Sequence, residues 1–229
     1  MNYIAALFAM FFLALPVSAA AQTSEGNLRF NLFDLEALSL SDILTFDAEM
    51  AARNGIDLKA PFRIAVPRDP RIERNIFANP DGGALVGIMF TFADQTSEET
   101  AFLEHLQITT ARVPMQDNHA EAAPSRQQIA GLMARDIVFP RMVEGKQAPE
   151  ILSVTALPLG NINASQVIGQ HIEPGIGPML VRVVVLPHPD QEESLMMIAK
   201  INLGLVPVRD RETLEKSLTG RIISSWQYQ

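Results

Sequence analysis

Four apolar runs in the last third of the chain, at 151–157, 166–173, 179–186 and 195–203, constrain the fold more than any other feature. Turn signals separate them: Gly160-Asn161, then Pro174-Gly175-Ile176-Gly177-Pro178, then Pro187-His188-Pro189-Asp190. Proline pre-sets φ and glycine supplies positive φ, so each break reads as a tight turn. Links this short hold no crossover helix, and strands joined by them must run antiparallel.

The remaining residues supply the rest of a sheet and three helices. Ser39 or Ser41 can cap a first helix with Ile43, Leu44, Met50 and Ala51 on one side, stopped at Asn54-Gly55. An extended piece covers 62–66 and closes at Pro67. Runs at 72–78 and 84–92, split by Asn79-Pro80-Asp81-Gly82-Gly83, read as a hairpin. Phe102, Glu104, Leu106, Ile108 and Thr110 alternate as in a strand, although Ser97 could cap a helix over 97–107; a strand from about Leu106 is favoured. Ser125 and Gln128 form a capping box for a helix whose apolar stripe is Ile129, Leu132, Met133 and Ile137, bent or ended by Pro140. Asp210 opens a closing helix with Leu214, Leu218, Ile222 and Trp226 at steps of four. Helices segregated from strand blocks predict an α+β fold, with a single antiparallel sheet flanked by helices.

The N-terminus carries an address. The first 21 residues lack Asp, Glu, Lys and Arg, and residues 4–15 are an unbroken apolar run. Pro16 ends it, and Val17-Ser18-Ala19-Ala20-Ala21 offers the small residues that a signal peptidase accepts. A bilayer span needs about 20 apolar residues, so a cleaved signal is expected over residues 1–21 rather than an anchor, with no membrane insertion after cleavage. Residues 22–59 then form an N-terminal extension with a helix, and residues 60–229 the α+β domain. A net charge of −8 without a Lys/Arg cluster excludes nucleic acid and anionic membrane as natural partners. With no cysteine there is no disulfide, no thiolate site and no lipidated N-terminal cysteine. The expected location is a bacterial periplasm or the medium.

Motifs for chemistry are scarce. The sequence has no GxSxG, HExxH, GxxxxGK or GxGxxG pattern, and Gly175-Ile176-Gly177 leads into a strand rather than a helix. Three His-x-acid pairs occur, at His119/Glu121, His171/Glu173 and His188/Asp190. A hairpin puts His171 and His188 at opposite ends of one strand, roughly 30 Å apart, so they share no metal ion. No metal site and no cofactor are expected. His105 reads as a half-buried packing residue. A dispersed Ser/His/acid triad stays open as an alternative, because its members need not be close in sequence. Arg182 and Lys200 each interrupt an apolar strand and fall near each other across a hairpin centred on Asp190-Gln191. Either an internal glutamate neutralises one of them, or the two bind an acidic ligand. They are the candidate ligand-binding residues. Asn163-Ala164-Ser165 matches a glycosylation sequon, read as accidental in a chain without disulfides.

The element order resembles the Mog1/PsbP-like α/β/α sandwich. The residues that carry the resemblance are Phe62-Arg63-Ile64-Ala65-Val66-Pro67, the hairpin leading to Glu99-Thr100-Ala101-Phe102-Leu103-Glu104-His105-Leu106-Gln107-Ile108, the central helix, the strand series and the closing helix from Leu214 to Trp226. It covers about residues 60–229. Members serve as accessory and binding proteins and share no single chemistry, so the resemblance implies no catalytic residue. The function expected is that of an exported soluble accessory or binding protein of the cell envelope. Its partner is an envelope protein or a small anionic ligand; the alternative is a periplasmic hydrolase.

Overall fold

The computed structural model describes residues 40–56, 58–68, 72–79, 84–93, 100–115 and 124–229. The signal segment, Ser39, Ser97, His119 and most of the 79–83 turn lie outside them. The elements are β1 (Leu40–Phe46), α1 (Ala48–Arg53), β2 (Phe62–Pro67), β3 (Ile72–Asn79), β4 (Ala84–Ala93) and β5 (Thr100–Arg112). Next come α2 (Arg126–Met133), a π-helical turn (Ala134–Val138) and α3 (Phe139–Met142). The later strands are β6 (Gln147–Leu159), β7 (Ile162–Glu173), β8 (Gly177–Leu186) and β9 (Glu193–Asn202). The last elements are α4 (Arg211–Lys216), α5 (Leu218–Ser225) and β10 (Gln227–Tyr228).

The strands form two sheets, not one. Seven pair antiparallel in the order β3-β4-β5-β9-β8-β7-β6, and three more in the order β1-β2-β10. The four late strands and the 72–93 hairpin run as the turn signals require, with Gly175 between β7 and β8 and Gly177 at the start of β8 both at positive φ. The second sheet arises from residues 40–46, read as helical from the spacing of Ile43, Leu44, Met50 and Ala51. They pair with β2 instead, and Phe46 stacks on Phe62 with ring centroids 4.5 Å apart. Only the six residues behind the Asp47 cap are helical, and Asn54 ends them. Burial of an aromatic pair outweighs the weak propensity of so short a helix.

The large sheet buries both faces. One packs on the small sheet, α4 and α5, with Phe62, Ile64, Leu106, Met197, Leu218 and Ile222 in the core. The other packs on α2, the π-turn and α3 through Val167, Val181, Val183 and Ile198. The closing helix breaks at Ser217, which is extended and caps α5 through its hydroxyl. The predicted stripe survives the break: Leu214, Leu218, Ile222 and Trp226 are all buried. The stripe expected on α2 survives by half, with Ile129 and Met133 packed on the core of that face. Leu132 and Ile137 face solvent, while Ala130, Ala134, Val138 and Phe139 are buried. Alanines let the helix lie close to the valine-rich sheet. The π-turn, with Phe139 N–H bonded to Ala134 O, then rotates the following residues inward. Pro140 has no N–H to give an ordinary helical bond, and the wider turn just ahead of it absorbs the loss.

Candidate functional site

The large sheet leaves a groove of about 740 Å3 where α2 passes over its outer strands. Helix α2 is fixed there at its first turn. Ser125 and Gln128 form the expected capping box. Arg126 donates to the carbonyls of Val113 at 2.9 Å, Gln191 at 2.7 Å and Pro114 at 3.1 Å, and also to that of His188, beyond β5 and between β8 and β9. Gln127 donates to Ala164 O at 3.2 Å, and Ser165 Oγ donates to Gln127 O at 2.7 Å, which stitches the helix to β7. One turn on, Gly131 has no side chain to fill the space above Ser165, and the groove opens. Leu132 and Arg135 form its helical wall, and Val154, Thr155 and Ala156 of β6 form the opposite one. Leu132 and Val154 are 46% and 43% exposed, and Ile137, Ile151 and Leu152 extend the apolar surface nearby. Partly exposed large apolar side chains gathered at a cavity mark a binding surface more often than scattered ones do.

Arg182 and Lys200 do not form one site. The register pairs Val181 with Lys200 and Arg182 with Ala199. Directly opposed residues share a face and adjacent ones do not, so a one-residue difference puts the two cations on opposite sides of the sheet. Arg182 is fully buried. Its Nε donates to Gln166 Oε1 at 2.8 Å and its terminal nitrogens to both carboxylate oxygens of Glu215 on α4, at 2.8 and 3.2 Å. An internal glutamate therefore neutralises it. Lys200 is half-buried on the other face, opposite His105.

The described histidines are separate. His105 stacks on Phe77, and its Nε2 is buried without a hydrogen-bond partner. Burial and then the nearby Lys200 hold its pKa below the ordinary value. His171 Nε2 lies 3.3 Å from Glu173, which also takes a 2.6 Å bond from Lys146, while its Nδ1 is unpartnered. Lys146, ahead of His171, holds the Glu173 carboxyl below the usual range. His188 Nδ1 accepts from Asp190 N–H at 3.1 Å, and its ring packs on Tyr228. None of the three joins a serine hydroxyl to a carboxylate as a hydrolytic triad requires. Among the described residues no group of three or more His, Asp or Glu is placed to hold a metal ion. No described helix is long and apolar enough to cross a membrane.

No motif in the sequence marks the groove. Its walls come from α2, the π-turn, β6 and β7, and the local sign is that Leu132 and Ile137, placed on a buried stripe by their spacing, lie beside Gly131 and Arg135.

No family model and no curated protein matches the chain. Solved structures similar to it include cyanobacterial PsbP from Synechocystis, with a TM-score of 0.45 and 11% identity over 83% of this chain and 95% of that one. LpqN of Mycobacterium tuberculosis, involved in cell envelope biogenesis, gives 0.41 and 13% over 82% and 90%. The Ran-binding protein Mog1p of Saccharomyces cerevisiae gives 0.40 and 10% over 81% and 95%. The Mog1/PsbP-like resemblance read from element order thus meets both of its namesakes among solved structures.

Proposed function

We propose that the chain is an exported accessory or binding protein of the bacterial cell envelope, and that it engages its partner in the groove between α2 and β6. The groove carries this reading: a cavity of about 740 Å3, open to solvent, with apolar side chains at its mouth and, among the described residues, one charged residue, Arg135, in its lining. The charge-free N-terminus, with its apolar run, proline break and Ala-rich end, supports export. The scattered histidines favour binding over hydrolysis.

Co-purification of the tagged native protein from envelope extracts tests the assignment, with wild type set against Leu132→Glu. The glutamate places a charge at the groove mouth without touching the core. A protein or small molecule retained by wild type should be lost with Leu132→Glu and kept with Ile43→Ser, a change at an exposed apolar position on β1. Material held equally by all three, or by none, would count against the assignment.

A further inference from the structure

Part of the groove wall is backbone. Val154 and Ala156 pair with Val167 and Ser165 and face α2, whereas Thr155 pairs with Gln166 and turns its hydroxyl to that side chain, accepting at 3.0 Å. Successive strand residues point to opposite faces. A cavity bordered by Val154, Thr155 and Ala156 together therefore meets the backbone of the strand itself. β6 ends the order of the large sheet, so among the described residues its outer row of N–H and C=O groups has no partner strand.

Most of that row is unsuited to pairing. Pro149 and Pro158 lack an N–H. The register shifts between Gln147 and Glu150 and again between Ile151 and Ser153. Prolines and bulges are the devices that keep sheet edges from joining other chains. Residues 153–157, in contrast, pair with β7 without a shift, and their middle three, 154–156, border the groove. The edge is blunted along its length except opposite the cavity. Five extended residues span roughly 16 Å. The helical wall from 126 to 135 is of similar length, about 14 Å at 1.5 Å per residue.

We propose that the groove takes a short extended segment of a partner polypeptide, about five residues long. It adds as a strand to 153–157 of β6, lays alternate apolar side chains against Leu132 and Val154, and sets a carboxylate at Arg135. This rests on the groove being the binding site. Main-chain bonding supplies affinity and the side-chain pockets supply specificity, as in other strand additions. Charge selects the acid: Arg135 is the one charged group among the described residues of the lining, and its bond to the neighbouring Asp136 is solvent-exposed and exchangeable. An acyl chain would match the apolar wall but leave the edge amides unpaired. A second copy would offer Ser153-Val154-Thr155-Ala156-Leu157, which carries no carboxylate.

The test uses the full chain from Gln22 and fluorescein-labelled heptapeptides in which Thr alternates with Val, Leu or Phe, each ending in Glu or in Gln amide. Laurate serves as the acyl comparison. Members of the peptide panel should bind by fluorescence polarisation, and the bound form should slow amide exchange at 153–157 at least tenfold. Glu-ended peptides should bind about fivefold tighter than their Gln partners, and Arg135→Gln should abolish that difference. Leu132→Glu and Val154→Arg should each weaken binding tenfold or more at an unchanged melting temperature. The proposal is overturned if no peptide binds, if protection falls elsewhere, or if the chain self-associates through the same amides. Laurate binding alone, lost with Leu132→Glu, would overturn the strand while leaving the groove as the binding site.

Discussion

Arg182 has no exposed surface, yet from Met179 to Leu186 its strand is otherwise valine, leucine and methionine. Glu215 keeps part of its side chain in water, so the two partners are not equivalent. Glu215→Ala strands a buried guanidinium and should cost about 3 kcal/mol in urea unfolding. Arg182→Met should cost about 1 kcal/mol, because the freed carboxylate can rehydrate and only Gln166 loses a partner. Lys200→Met, on the other face, should add to Arg182→Met within about 0.5 kcal/mol; a larger coupling would mean that the cations share a ligand. The sequence pointed to a glutamate partner but not to the facing, because the facing turns on one residue of register. Glu104 carries the second buried charge. Its carboxylate accepts from Leu218 N–H at 3.0 Å and from Thr219 N–H and Oγ–H at 2.7 Å, at the start of α5. Desolvation raises its pKa above the ordinary value, against those hydrogen bonds. With the folded value above the unfolded one, the stabilisation is full below the unfolded pKa and is lost as pH rises through the folded one. Wild type should therefore lose stability relative to Glu104→Gln as pH climbs out of the acid range, and a flat difference in urea midpoint would contradict this.

Two glycines separate rigid from yielding contacts between elements. A Cβ on Gly169 of β7 would lie 2.3 Å from the ring of Phe139, which is buried at the start of α3, and 2.6 Å from the backbone oxygen of Glu150. Neither can move without lifting α3 or parting β6 from β7. On Gly87 of β4 a Cβ would meet only the ring of Phe77, at 2.4 Å, and that ring is partly in solvent and can swing away. Gly169→Ala should lower stability by about 2 kcal/mol or more, and Gly87→Ala by under about 1 kcal/mol, both read by urea denaturation. Local chemistry made some elements legible. The Ser125/Gln128 box, the Asn54-Gly55 stop and the late hairpins depend on neighbours within a few residues. The π-turn depends on how Phe139 meets Gly169, thirty residues away, and no periodicity in 129–137 encodes that. β1 was misread for the same reason: its partner strand begins sixteen residues beyond its own end.

At the scale of the whole molecule, the apolar N-terminal run predicts processing. Sequencing of the native protein should begin at Gln22, and an intact Met1 on membrane-bound material would refute cleavage. The groove was not legible because its parts lie at 131–135, 154–156 and 165 and carry no motif; only the packing of α2 on the sheet edge brings them together. The small sheet sets an order of assembly. β2 pairs with β1, a short way upstream, and with β10 through Arg63↔Gln227 and Phe62↔Tyr228, 164 and 166 residues downstream. The Tyr228 hydroxyl donates to Leu186 O at 2.7 Å and accepts from Leu195 N–H at 3.2 Å, so the same short strand also ties the small sheet to the large one. Contacts this distant in sequence form slowly, and they cannot form until residue 228 has left the ribosome. A nascent chain of this protein thus stays unfinished, and open to any machinery that needs an unfolded polypeptide, until its synthesis has passed that point.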